Sequence, residues 1–159
     1  MPFRLSAEQD RTFVLIRPAV DVRAPYQARA RVAKALADWG LEDLIDDVTL
    51  CVSELTTNTL CAKAGEMAVL VEWHQDDHLI EIAVWDNAPG EPEKREPATL
   101  ATGGRGLNIV AALATEWGLR TGDDDGKVTW ARFHTSPGTP RCGPTGSQPP
   151  CAGAPAPAK

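Results

Sequence analysis

Gly103-Gly104-Arg105-Gly106-Leu107 leads directly into an apolar run at helical spacing, formed by Leu107, Ile109, Val110, Leu113 and Ala114. Glycines let a backbone approach an anion closely, and the first N–H groups of a helix have no partner inside the helix. The stretch therefore favours a phosphate-binding turn at a helix N-terminus, although a plain loop-to-helix joint would have the same composition. No GK[ST] sequence follows the glycines, which excludes a Walker loop. The helix that begins here is expected to end near Trp117-Gly118.

A long polar segment precedes this turn. Between Trp85 and Gly104 the chain carries three prolines and several charges but almost no apolar side chain. A loop of this length is uncommon inside a compact domain and usually serves as a lid over a site or is a disordered insert. The segment is therefore expected to be either a lid next to the glycine-rich turn or a disordered insert.

The composition of the whole chain excludes several classes of protein. Its 159 residues are 43% hydrophobic, enough for one domain that buries a core without disulfides or a structural metal. There is no run of 18 apolar residues and no apolar segment behind a basic start, so we expect a cytoplasmic protein without a membrane span or secretory signal. The net charge of −6 disfavours nucleic acid as a partner, because binding to its backbone needs clustered Lys and Arg.

Hydrophobic periodicity predicts an α+β domain over residues 1–134, and a disordered tail rich in Pro, Gly and Ala over residues 135–159. Because the strands follow one another in hairpins, we expect a mixed, mostly antiparallel sheet with the helices on one face, which is a two-layer sandwich. The predicted elements are strand 12–16, helices 25–40 and 41–64, strands 69–73 and 79–85, helix 107–117, and strands 119–121 and 128–133.

Two more segments carry side chains suited to chemistry. Glu54 and Asn58 are four residues apart in the second predicted helix, so they lie about 40° apart on a face different from its apolar stripe. Asp86 directly follows the predicted strand 79–85, and a carboxylate there can accept a hydrogen bond from an amine such as that of adenine. Taken singly, the first pair fits a solvated helix face and the second segment fits a strand-ending turn.

In this order, the three segments resemble the ATP-binding domain shared by histidine kinases, DNA gyrase, heat-shock protein 90 and the mismatch-repair protein MutL, which has the Bergerat-type fold. The resemblance is closest to the branch of anti-sigma-factor serine kinases and covers about residues 13–133. It implies that Asp86, followed by Gly90, binds the adenine of ATP, and that Asn58 holds Mg²⁺ together with the triphosphate. It also implies phosphate contacts from the turn formed by Gly103, Gly104, Arg105, Gly106 and Leu107.

The same resemblance implies a bacterial regulatory protein that phosphorylates a serine of a partner switch protein, with Glu54 as the base that accepts the hydroxyl proton. The partner would be an anti-anti-sigma-like protein, a sigma factor or both, and a homodimer is plausible because relatives commonly dimerise. Two alternatives stay open: a non-catalytic module in which nucleotide orders residues 91–103 and so gates a protein partner, and a domain that binds no nucleotide. Glu54 favours the kinase, whereas Cys61-Ala62, where relatives often carry a basic residue and a His, favour the module.

Overall fold

The computed structural model describes residues 11–88, 104–121 and 126–136. These residues form one sheet of five antiparallel strands in the order β1-β2-β3-β5-β4, together with three helices. The strands are β1 Arg11–Ile16, β2 Met67–His74, β3 Leu79–Asp86, β4 Glu116–Thr121 and β5 Lys127–His134. The helices are α1 Ala24–Asp38, α2 Ile45–Cys61 and α3 Gly104–Leu113, and a single 3₁₀ turn spans Glu42–Leu44.

The first two helices form a hairpin with clear start and stop signals. Pro25 lies in the first turn of α1, where its missing N–H costs no helical hydrogen bond. Gly40 ends the helix in the left-handed region, with a φ of 72°, and lets Leu41 N–H donate to the Leu36 carbonyl. The chain then reverses through the 3₁₀ turn into α2, which brings α2 back alongside α1.

All three helices contribute to a core on one face of the sheet. Alternation along the strands turns every second side chain toward the helices, where Trp39 of the α1 end stacks on Trp73 with ring centroids 6.0 Å apart. This arrangement confirms the predicted α+β sandwich with helices on one face. The fully buried large side chains of this core include Leu36, Val32, Val48, Val52, Val69, Val71, Trp73, Ile80, Ile82, Val84 and Val110.

The opposite face of the sheet combines an apolar patch with an ion-pair network. Leu70, Trp85 and Val128 are buried on this face beside two small alanines, Ala68 and Ala83. Further along the strands, Glu81 accepts hydrogen bonds from Arg132 at 2.8 Å and from Arg120 at 3.2 Å. The hydrogen bond to Glu81 raises the pKa of the Arg132 guanidinium. The buried Glu81 carboxylate is therefore paired with a side chain that stays positively charged.

Two sequence-based expectations need correction. The last helix ends at Leu113 instead of Trp117, because Glu116 already begins β4 and Trp117 pairs in register with Ala131 of β5. The sheet is antiparallel at every pairing between the described strands, whereas the sequence predicts a mixed, mostly antiparallel sheet. A strand with a partly buried Trp on the core side imitates the apolar spacing of a helix end, which explains the first error.

The described part of the chain continues for two residues past β5. Thr135, at the start of the predicted tail, is buried and its N–H donates to the His78 carbonyl at 2.8 Å. Residues 137–159 lie outside the described part.

Cys51 is a buried core residue, and burial raises the pKa of its thiol to about 12, whereas Cys61 is exposed. No helix among the described residues has the length and apolar content that a membrane span requires.

Gly126, directly before β5, fills a position that admits no side chain. A Cβ at this residue would lie 2.6 Å from the Asp86 carbonyl oxygen and would collide with the indole nitrogen of Trp85. We expect Gly126→Ala to lower the free energy of unfolding by about 1–3 kcal/mol, because the end of β3 must move to make room. The change is measured by urea denaturation.

Gly65→Ala is the matched control, since its Cβ would meet only the Asn87 amide at 3.6 Å and 3.7 Å, an ordinary contact. This control is expected to change the free energy of unfolding by less than about 0.5 kcal/mol. Equal midpoints for both variants would contradict the close approach at Gly126.

Candidate functional site

Asp86 is the buried charge around which the candidate site is built. It ends β3 on the helix side of the sheet, and its side chain is only 4% exposed. A carboxylate in such a place must be paired or hydrogen-bonded, because burial of an isolated charge is costly. Three groups from three parts of the chain meet this need: the Thr59 hydroxyl, the Ala88 N–H and the Lys127 ammonium.

Thr59 connects the second helix to this carboxylate. Its Oγ1 donates to Asp86 Oδ2 at 3.1 Å and also lies 3.2 Å from the Leu55 carbonyl, so one proton serves two acceptors. Thr59 is 2% exposed and follows Asn58 directly in α2. The hydrogen bond therefore joins the helix that carries Glu54 and Asn58 to the end of β3.

Lys127 provides the opposite charge from the neighbouring strand. It is the residue of β5 that pairs in register with Asp86, and its Nζ lies 3.1 Å from Asp86 Oδ1. Its side chain is 24% exposed, so the ammonium lies at the rim of the site while the carboxylate lies inside it. The ion pair therefore compensates a carboxylate that is buried at the bottom of the site.

The residues that follow Asp86 are held by hydrogen bonds of their own. Ala88, two residues after Asp86, is 8% exposed, and its N–H donates to Asp86 Oδ1 at 3.0 Å. The Asn87 side chain accepts hydrogen bonds from Gly65 at 2.8 Å and from Glu66 at 2.7 Å. These contacts tie the end of β3 to the loop between α2 and β2.

Gly106 brings the first and third sequence segments together. A Cβ at this position would lie 2.7 Å from Glu54 Oε2 and 3.5 Å from the Asn58 amide nitrogen. The first turn of α3 therefore approaches the partly buried face of α2 that carries both side chains, and the missing side chain of Gly106 permits it. Glu54 and Asn58 of α2 and the first turn of α3 therefore lie close enough to belong to one site.

The remaining predicted site residues lie partly in α3 and partly outside the described residues. Gly104 and Arg105 are the first two residues of α3, and Leu107 is partly buried against the helix-side core. Gly90 and Gly103 lie outside the described residues. Within the described ranges, no group of three or more His, Cys, Asp or Glu side chains is arranged to hold a metal ion.

The chain also matches a known protein family. Residues 19–133, most of the chain, match the family described as the histidine kinase-like ATPase domain. The chain belongs to this family. The matched range runs from the approach to α1 through β5, so this ATPase domain includes every element that contributes to the site. A search of curated proteins gave no significant match.

Two residues of the site in this ATPase domain could not be identified from the sequence motifs. Neither Thr59 nor Lys127 is among the residues that the sequence motifs predict. Thr59 carried a usable signal, because a Thr next to Asn58 on α2 can turn its hydroxyl toward the sheet. Lys127 carried none, because its role depends on the β3–β5 register, which no local pattern shows.

The hydrogen bond between Thr59 and Asp86 makes a measurable contribution to stability. We expect Thr59→Val, which keeps the shape but removes the donor, to lower the free energy of unfolding by about 1–3 kcal/mol. Thr56→Val is the matched control, because the buried Thr56 hydroxyl donates to the Val52 carbonyl of its own helix. The control should cost only about 0.5 kcal/mol, since that carbonyl keeps its helical partner. Equal losses in urea denaturation would show that Thr59 does not support Asp86.

Proposed function

We propose that this chain is a cytoplasmic regulatory protein that binds ATP between α2, the end of β3 and the start of α3. The observation that carries the proposal is the buried Asp86 carboxylate, which is fixed by Thr59, Ala88 and Lys127. A carboxylate has about four acceptor positions, and these three donors leave one on Oδ2. An exocyclic amine such as that of adenine fits that remaining position.

The residues near Gly106 suit the phosphate end of the same ligand. The close approach of Gly106 to Asn58 supports a site in which the first N–H groups of α3 and the Asn58 side chain act together. Mg²⁺ prefers oxygen ligands and keeps several waters, so the Asn58 amide oxygen would hold it jointly with the phosphates. When bound, the metal would neutralise negative charge on the triphosphate.

The finer proposal is a serine kinase of the anti-sigma-factor type, which would regulate transcription through a protein partner. Phosphoryl transfer asks a protein mainly for positioning and charge stabilisation, so one carboxylate base suffices in principle. Glu54 is four residues before Asn58 on the same face of α2 and is partly buried, which supports its assignment as the base for a serine hydroxyl. The substrate would be an anti-anti-sigma-like switch protein, with a sigma factor or a second copy of the chain as further partners.

One contact favours a second candidate, a nucleotide-gated interaction module without transfer chemistry. The Glu54 carboxylate lies where a side chain at residue 106 would be, directly against the first turn of α3. A carboxylate near a helix N-terminus is stabilised by the helix dipole, so Glu54 can also act as a structural contact that responds to phosphate at the same turn. In that case Glu54 would couple the nucleotide to the position of α3.

Calorimetric titration of the full chain with ATP tests nucleotide binding. We expect saturable binding that is strengthened by Mg²⁺ and weakened at least about tenfold by Asp86→Asn, because the charged acceptor is lost. Asp77→Asn, in the exposed β2–β3 turn, is the matched control and should bind like the wild type. Absence of binding by a folded wild-type chain would refute the proposed function, and unchanged affinity in Asp86→Asn would refute its adenine assignment.

A phosphoryl-transfer assay separates the kinase from the module. The chain is incubated with γ-labelled ATP and an extract of the source cells, and acid-stable phosphoserine is measured on other proteins. We expect labelling by the wild type and by Glu42→Gln, an exposed control, and loss of labelling in Glu54→Gln with ATP affinity retained. Labelling that persists in Glu54→Gln would exclude Glu54 as the base.

A further inference from the structure

Lys127 pairs with the buried Asp86 carboxylate, and its ammonium has more N–H donors than this one ion pair uses. Asp86 and Lys127 are register partners on β3 and β5, and both extend from the helix side of the sheet, as do Val84 and Ala131 of the same strands. A lysine at a strand start can normally direct its ammonium into water. Here the ammonium is turned toward the site, 3.1 Å from Asp86 Oδ1, and its side chain is only 24% exposed.

The two side chains together present a donor next to an acceptor. An ammonium group has three N–H donors, and the 3.1 Å contact of Lys127 Nζ with Asp86 Oδ1 uses one of them. Asp86 Oδ2 is held by Thr59 and has one acceptor position left, while Oδ1 already accepts from Ala88 and Lys127. The Asp86–Lys127 pair therefore offers one open acceptor position on Oδ2 and further N–H donors on an ammonium that contacts Oδ1 of the same carboxylate.

We propose that Lys127 is a specificity-determining residue that donates a hydrogen bond to the N1 ring nitrogen of adenine. The inference rests on the proposed function, in which Asp86 accepts from the exocyclic amine. In adenine the amine donor is directly adjacent to the N1 acceptor, so a paired acceptor and donor on the protein complement both positions at once. Hydrogen bonds to charged groups are among the stronger ones, which makes Lys127 a contributor to affinity as well as to selectivity.

A purely structural role for Lys127 would leave a different signature. If the ammonium only compensates the charge of Asp86, removing it weakens every adenine nucleotide alike, whatever atom occupies ring position 1. If it binds N1, its removal matters only for ligands that have a nitrogen there. An analogue with carbon in place of N1 therefore distinguishes the two roles, because it removes the acceptor and keeps the amine.

The experiment is a calorimetric cycle with the full chain and three probes: ATP, 1-deaza-ATP and 7-deaza-ATP, each with Mg²⁺. For the wild type we expect 1-deaza-ATP to bind about tenfold more weakly than ATP and 7-deaza-ATP to bind within about threefold of ATP. Lys127→Met should bind ATP and 1-deaza-ATP equally, at about the affinity of the wild type for 1-deaza-ATP. Lys34→Met, an exposed lysine on α1, is the matched control and should discriminate like the wild type.

Each other outcome has a definite meaning. If the wild type binds ATP and 1-deaza-ATP equally well, or if Lys127→Met still discriminates between them, the inference is wrong while ATP binding stands. If no probe binds to the folded wild type, the proposed function itself fails. Thermal melting establishes that Lys127→Met is folded, and Lys127→Gln, which keeps a neutral donor, should retain part of the discrimination if the methionine variant is unstable.

Discussion

The pairing of the buried Asp86 carboxylate is the constraint on which the rest of the site depends. A charge that is 4% exposed cannot be left alone at the end of a strand, and its partners come from α2, from β5 and from its own turn. Each partner fixes one element relative to β3. The relative placement of the second helix, the fifth strand and the Asn87-Ala88 segment is thus determined by the same group that would contact a ligand.

A second constraint acts between the helices and concerns space instead of charge. The start of α3 approaches α2 closely because residue 106 has no side chain, and the atoms it approaches belong to Glu54 and Asn58. A larger residue would separate the two helices or displace the Glu54 carboxylate. The glycine-rich turn therefore has a packing role in addition to any role in phosphate binding, and the two roles require the same residue.

Much of this architecture was predictable from local patterns. Strong apolar periodicity located both long helices and the β2–β3 hairpin, and the order of elements indicated helices on one face of a sheet. The sequence also singled out Glu54, Asn58, Asp86 and Gly106, and the structure places Gly106 against Glu54 and Asn58. The predicted end of α3 was wrong, because β4, an alternating strand with an inward Trp117, has apolar side chains at the spacing of a helix. Lys127 was not predicted either, because pairing across strands that are distant along the chain is a tertiary property.

The sequence separation of the groups around Asp86 has a consequence for the order of folding. The α1–α2 and β2–β3 hairpins join neighbouring segments, whereas β5 can pair with β3 only after the chain between them, including α3, has been brought back. Contacts between distant segments carry a larger loop-closure cost and tend to form later. Lys127 therefore reaches Asp86 at a late stage, when nearly the whole domain has been synthesised. An incomplete chain would contain α2 and β3 but not the charged partner of the site, so the capacity to recognise a ligand would coincide with completion of the domain.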